Sequence, residues 1–379
     1  MLDGRRSRIK AVSEAIDLDR PETYARLDPD DMYRRVTDLP KQIEDAWTSS
    51  ASLSIPEDYR SARTVLVAGM GGSAIGGSLL QSYGFDQLPV PVQVWRNYGL
   101  PAWVNEHTLL IAVSYSGDTE ETVSALAEGQ RRGAKIIAIT TGGAVAAAAG
   151  ARGIPTFRFS YSAPPRATIG YLFTPLIRIF AMLGFLSDQE QAVREAIDVA
   201  HEAVRSWSGE MPASENLAKR LASAAHGRSV VIYGAEFLGA VARRWKTQMN
   251  ENAKNWSFWE EFPELNHNAV VGYEYPKALS DAIEVVMLHS ADLSERVRLR
   301  MDVTQQILDG FGGHWTVAEA EGNGRLAQIF SLIALGDFSS YYLALLNGAD
   351  PTTIAPINFL KQELRRDERG LGVPATEAD

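Results

Sequence analysis

The chain contains no cysteine. That excludes disulfide staples, thiolate nucleophiles and cysteine-ligated zinc, and it removes the catalytic N-terminal cysteine that a glutamine-fed sugar-phosphate synthase requires. Histidine is scarce, six in 379 residues, and no two stand at H-x-x-x-H spacing. A zinc isomerase of the cupin type is therefore not expected, and no metal or other cofactor is. Basic residues are outnumbered by acidic ones, 37 to 47, and a net charge of −10 argues against nucleic acid as a partner. No apolar run approaches the ~18 residues of a membrane helix, and the N-terminus has no apolar signal core. The expected setting is the cytoplasm, with no membrane partner. A GxxxxGKS/T string is also missing, which excludes a P-loop NTPase. No acidic residue follows the glycines at the end of a clear second strand about 20 residues on, as a dinucleotide fingerprint would require.

What is present is concentrated in residues 64–80, TVLVAGMGGSAIGGSLL. Val65–Ala68 reads as a buried strand. It empties into Gly69, Gly71, Gly72, Gly76 and Gly77, and a small-residue helix is expected from Ser73 to about residue 84. Glycines let backbone N–H groups approach an anion, and a helix start adds about half a positive charge. A hydroxyl at that helix start, Ser73, suits a small phosphate monoester better than a pyrophosphate.

The alternation continues. Strands are expected at Val90–Trp95, Leu109–Val113 and Lys135–Thr140, with helices at about 119–131 and to 149. Short strand–helix alternation predicts an open parallel α/β sheet, flavodoxin-like in outline. Before it, Ile9, Val12, Ile16 and Leu18 mark one amphipathic helix, and Tyr33–Trp47 another. After it, residues 163–207 read as helical. Then the pattern restarts. GRSVVIYGAEFLGAVARRW (227–245) lies on ARTVLVAGMGGSAIGGSLL (62–80), placing Arg63 on Arg228 and Gly69 on Gly234, and YSGDTEETV (115–123) lies on HSADLSERV (289–297). The organisation expected is a helical lead-in (1–60), a first α/β unit (61–162), a helical connector (163–224), a second unit of the same architecture (225–350) and a C-terminal helix and tail (351–379). The second copy has lost most of its turn glycines and serines, so only the first is expected to bind phosphate.

Chemistry-bearing residues gather at the carboxyl end of the first sheet, where open α/β sheets bind ligands. The strand Leu109–Val113 delivers Ser114-Tyr115-Ser116-Gly117-Asp118-Thr119 there. Hydroxyls of Ser73, Ser114, Ser116 and Thr119, with Gly72 and the more weakly placed Thr122, converge on one spot. Simple helix capping by Ser116, Asp118 and Thr119 is the competing explanation. Farther on, Phe237, Val241, Trp245 and Met249 recur every fourth residue as the buried stripe of a helix, and Glu251 lies off that stripe. Asn250 and Asn252 flank it, and amides there are placed to hold substrate hydroxyls. His267 stands in a polar turn, Asn266-His267-Asn268.

Residues 64–77 and 113–122 resemble the sugar-isomerase (SIS) domain, whose serines and threonines hold sugar phosphates. A tandem pair resembles the phosphoglucose isomerase superfamily. Asn250-Glu251-Asn252-Ala253-Lys254, followed by His267-Asn268, is similar to the NENAK and HN signatures of the bifunctional phosphoglucose/phosphomannose isomerases. The resemblance covers roughly residues 60–365. It implies a metal-independent aldose–ketose isomerase, with Glu251 as the base that moves a proton between C2 and C1 and His267 as the ring-opening group, which in this family can reach the site from the second subunit of a homodimer. It also implies Arg166, in Pro164-Pro165-Arg166, as the cation at the enediolate oxygens, and Lys361 as a lysine assisting ring opening. A guanidinium can give two parallel hydrogen bonds to a diolate. Glu264 is the alternative carboxylate. The rival function is a sugar-phosphate sensor without turnover, or an isomerase of a different sugar phosphate.

Overall fold

The computed structural model describes residues 16–370, with side chains to 364. Of the helix expected from Ile9 to Leu18, only residues 16–18 fall among the described residues, and they form an irregular segment leading into a turn. The tail beyond 370 also lies outside. The second lead-in helix is two: α1 (Met32–Thr37) and α2 (Leu39–Ser50), broken at Asp38, with Pro40 in the first turn of α2. Proline is tolerated there because the first-turn N–H has no helical partner to lose.

The first sheet holds β1 (Thr64–Ala68), β2 (Val92–Trp95), β3 (Thr108–Ser114), β4 (Lys135–Thr140) and β5 (Thr156–Arg158), all parallel, in the order β2-β1-β3-β4-β5. This is the flavodoxin-like doubly wound order. Crossovers run through α3 (Gly71–Tyr83), α4 (Glu120–Arg131) and α5 (Gly143–Gly150). The central strand β3 is buried at every position, as a parallel strand covered on both faces must be. The edge strand β5 is absent from the sequence pattern because three residues with one buried position carry no period.

Then α6 (Ile169–Leu183), α7 (Glu190–Trp207) and α8 (Leu217–Ala225) form the connector. The second sheet holds β6 (Ser229–Ala235), β7 (Phe258–Phe262), β8 (Ile283–His289) and β9 (His314–Glu319), again parallel, in the order β7-β6-β8-β9. Its helices are α9 (Gly239–Glu251) and α10 (Glu295–Gly310). The chain closes with α11 (Arg325–Leu346) and α12 (Ala355–Gly370). Two tandem parallel α/β units are thus present, as the repeated pattern requires.

One expectation is corrected. The 22-residue α11 is long and apolar enough, by length and composition, to cross a membrane. Here it is a core helix, packed on α7, α8 and α9, with 94% of its most apolar window buried. A helix apolar on all sides is one with no solvent face. The two units meet through α3 and α9, which lie against each other. The N-terminal end of α3 faces the C-terminal end of α9, and the converse holds at the other end, so the pair is antiparallel.

Candidate active site

The site is built from the backbone outward at the start of α3. An added Cβ on Gly72 would lie 2.9 Å from Pro165 O, 3.0 Å from Pro165 C and 3.1 Å from Arg166 N. Only glycine lets the helix start press on the 165–166 backbone this closely. Neither α3 nor α4 has a side-chain cap, so the N–H groups of Gly71 and Gly72 in α3 and of residues 120–122 in α4 face the carboxyl end of the sheet without an internal acceptor, whereas Ser73 N donates to Met70 O at 2.9 Å. Thr119 precedes α4 but does not cap it, which disposes of the capping explanation for that residue.

The hydroxyls divide into two groups. The buried Ser73 Oγ accepts from Tyr115 N at 3.1 Å. Thr119 Oγ1 accepts from Ser114 Oγ at 3.0 Å. Each therefore retains its own proton for an incoming oxyanion. Ser116 is exposed, and its Oγ accepts from Asp118 N at 3.2 Å, again leaving a proton free. Ser114 differs. It is fully buried, donates to Thr119 and accepts from Gly117 N at 3.0 Å, so it shapes the loop that presents its neighbours. Thr122 Oγ1 is buried without a hydrogen-bond partner.

Arg166 joins this cradle to the second unit. Its side chain is 3% exposed. Nε donates to Asn252 Oδ1 at 2.6 Å, one Nη2 pair donates to Pro351 O at 2.7 Å and Thr352 O at 2.9 Å, and Nη1 donates to Glu251 Oε2 at 3.3 Å. Four of the five guanidinium N–H groups are thereby engaged. One remains, on Nη1 beside the Glu251 carboxylate. The bidentate grip on a diolate expected from sequence is not available, and a single N–H is. Burial pulls the Arg166 pKa down, and the Glu251 charge opposes that most strongly. A guanidinium stays charged regardless.

Beneath Arg166 a second pair holds its backbone. Arg244 Nη2 donates to Arg166 O at 3.0 Å, and Arg244 also pairs with buried Asp337, which accepts from Gln248 Nε2 at 2.7 Å. Burial raises the Asp337 pKa, with Arg244 acting against it. Neither residue carries a sequence signal for this role.

Glu251 ends α9, partly exposed, with its carboxylate turned to Arg166. Its asparagine neighbours do not face substrate, contrary to expectation. Asn252 is buried between Arg166 and Ser340 Oγ, and Asn250 Oδ1 accepts from Ser257 N at 2.9 Å. Lys254, which the sequence did not single out, folds back in the left-handed region (φ 55°) and donates to Glu251 O at 2.6 Å and Asn252 O at 3.2 Å. It is a cation at a helix C-terminus, where the dipole favours one. Partial burial, then the Arg166 charge, brings its pKa down to about 8. As pH rises through that value the positive charge that complements the α9 terminus is lost and its hydrogen bonds to the two carbonyls weaken. Turnover of the wild type is expected to show an alkaline limb near pH 8 that Lys254→Met lacks, read from kcat against pH.

His267 and Lys361 are not brought to Glu251. His267 is exposed on the turn after β7, and among the described residues no hydrogen bond reaches its ring. Glu251 precedes β7 and His267 follows it, so roughly 16 Å of strand separates their ends of the sheet. Lys361 is exposed on α12, although the segment just before that helix, Pro351–Thr352, is latched to Arg166. Glu264 is exposed and accepts from Asn268 Nδ2 at 3.0 Å, away from Arg166.

Comparison with known proteins agrees with this architecture. A SIS-domain family model matches residues 58–154, and a model described as the C-terminal SIS domain of bacterial phospho-glucose isomerase matches 214–364. The bifunctional phosphoglucose/phosphomannose isomerase of Caldicellulosiruptor bescii is 40% identical over 334 residues, covering 88% of this chain and 98% of its own. That of Thermoplasma acidophilum is 36% identical, covering 79% and 89%. Among solved structures, the C-terminal domain of glucosamine-fructose-6-phosphate aminotransferase from Francisella tularensis superposes with a TM-score of 0.67 at 14% identity, over 85% of this chain and 98% of that one, a likeness of fold. With two SIS units in one chain and relatives of that name matching along nearly their whole length, the chain belongs to the bifunctional phosphoglucose/phosphomannose isomerase family.

Proposed function

We propose that the protein interconverts glucose 6-phosphate and mannose 6-phosphate with fructose 6-phosphate through a cis-enediol, without a metal. The observation that carries this reading is Arg166, a buried cation tying the hydroxyl cradle of the first unit to a carboxylate of the second. The phosphate binds the hydroxyls of Ser73, Ser116 and Thr119 and the free N–H groups of α3 and α4. Ser114 and Thr122 shape that loop, and Gly72 gives the backbone access. This remote anchor supplies binding energy away from the reacting carbons.

In the open-chain aldose, Glu251 takes the proton from C2 as the C1 carbonyl oxygen gains negative charge. The free Nη1–H of Arg166 steadies that oxygen. The hydroxyl proton on O2 passes to O1 at the enediol stage, Glu251 returns its proton to C1, and the C2 oxygen becomes the ketose carbonyl as O1 becomes a hydroxyl. Either C2 epimer yields the same enediol, which is how one carboxylate serves glucose and mannose substrates. Ring opening needs a separate acid/base that moves a proton between O1 and O5. We assign it to His267 of a second copy, since one chain leaves His267 exposed at the far end of β7. Exposed Val271, Tyr275 and Leu279 on the same excursion support pairing with a homodimer partner. Lys361 is assigned an assisting role from α12. A cytoplasmic location suits substrates of this kind.

A coupled assay for fructose 6-phosphate in EDTA, from glucose 6-phosphate and separately from mannose 6-phosphate, tests the reading. Turnover of both is expected, and turnover of neither overturns it. Ser116→Ala is expected to raise KM about tenfold, the worth of one hydrogen bond to a charged group, with kcat nearly unchanged. Steady-state kinetics on either aldose checks it.

A further inference from the structure

The antiparallel α3/α9 pair has two ends, and the cleft just described uses one. The register that lays Arg63 on Arg228 also lays Gly71 on Glu236 and Asp86 on Glu251. The backbone keeps that correspondence, since Gly71 and Glu236 share a left-handed conformation (φ 49° and 48°). At the opposite end Arg325 grips Asp86 at 2.6 and 2.9 Å, the image of Arg166 on Glu251. Between α3 and α9 at that end lies a groove of about 360 Å3.

Two arginines mark it. Arg243 lines the groove over the Trp259 ring, 5.5 Å from its centroid, and its guanidinium makes no hydrogen bond or ion pair among the described residues. Arg96, half-buried, stands behind the lining: its guanidinium donates to Ser78 Oγ at 2.6 Å and to Ala74 O at 3.5 Å, and Ser78 lines the groove. Arg243 is near enough for its charge to add to burial in pulling the Arg96 pKa down to about 10. Two adjacent guanidinium groups without a bound carboxylate leave an anion's place open. Two carboxylates line the groove as well, and neither pairs directly with Arg96 or Arg243. Glu236 accepts from Ser294 N at 3.2 and 3.4 Å, while Glu261 sits beside Gly239 at the start of α9, within reach of the Arg243 charge.

We propose that this groove is a second ligand site for a phosphorylated polyol, with Arg96 and Arg243 on the phosphate, Trp259 against the carbon chain and Glu261 accepting from hydroxyls. The volume suits a small metabolite. The site lies outside the catalytic cleft, and its existence does not depend on the role given to Glu251.

Calorimetric titration of the full chain with glucitol 6-phosphate, which has no carbonyl to isomerise, tests it. Two sites per chain are expected. Arg96→Met/Arg243→Met is expected to keep only the cleft site, with kcat on glucose 6-phosphate unchanged, and Ser73→Ala/Ser116→Ala to keep only the groove site. A single wild-type site that the serine variant abolishes overturns the proposal, as does an arginine variant that still binds two. Should the double arginine variant fail to fold, Arg243→Gln removes a guanidinium with no hydrogen bond to lose. Its second-site Kd is expected to rise at least tenfold, and an unchanged Kd overturns the proposal. If the reading of the cleft is wrong instead, the arginine variant still loses one site while the serine variant loses none.

Discussion

Glu251→Gln is expected to lower kcat by about 10³-fold on both aldose phosphates while glucitol 6-phosphate still binds the cleft. The amide keeps the shape of the side chain and its contact with Arg166 Nη1, but it cannot accept a proton from carbon. General-base catalysis by a positioned carboxylate contributes on the order of 10²–10⁴. The phosphate cradle belongs to the first unit and is untouched, so the effect falls on kcat and not on binding. Glu264→Gln, on the exposed turn before His267, is the control. If it produces the large loss and Glu251→Gln does not, the base is Glu264.

Arg166→Lys is expected to be nearly as severe, and in a different way. An ammonium has three donors and no planar fork, whereas Arg166 serves Asn252, two main-chain carbonyls and Glu251 from one rigid group. Lysine cannot satisfy all of them, so the C-terminal segment loosens and the Nη1–H at the reacting oxygen disappears. A fall in kcat of about 10²-fold is expected, from loss of one preorganised donor at the developing charge. A loss of stability of about 3 kcal/mol is expected as well, because a buried partner is left unpaired. Chemical denaturation and steady-state kinetics on the same protein separate the two effects. A variant with wild-type kcat and a lowered melting temperature would reduce Arg166 to a structural latch.

The proposed phosphate cradle was legible in the sequence because each of its two segments is local. A strand, a glycine cluster and Ser73 form one, and the hydroxyl-rich turn at 114–119 after the next central strand forms the other. The first sheet was legible from alternation, except for β5, whose three residues are too few to show a period; in the second unit only the order of strand, turn and helix was legible, since β7 and β9 each bury a single position. The wiring of Arg166 was not legible. Two of its partners are backbone carbonyls, which carry no residue-type signal, and they lie almost at the other end of the chain. Asn252 misled for a related reason. Next to a carboxylate, its amide reads as a substrate ligand, yet it is buried beneath the arginine. Lys254 was hidden because its ammonium turns back on its own helix, a geometry set by a left-handed residue that periodicity does not register. His267, exposed and apart from Glu251 in the single chain, has a catalytic place only in the proposed reading that brings it from a second copy.

The latch between Arg166 and the carbonyls of Pro351 and Thr352 has a consequence for biosynthesis. The cradle, Arg166 and Glu251 have all left the ribosome long before residue 351 does, and the second sheet is complete by then. Until Pro351 and Thr352 arrive, two guanidinium N–H groups lack these acceptors, and Asn252 and Glu251 alone hold the arginine. On the reading proposed above, a chain ending before residue 351 is expected to keep the hydroxyl cradle while holding the cation beside Glu251 less firmly, so phosphate binding would precede turnover as the chain is made.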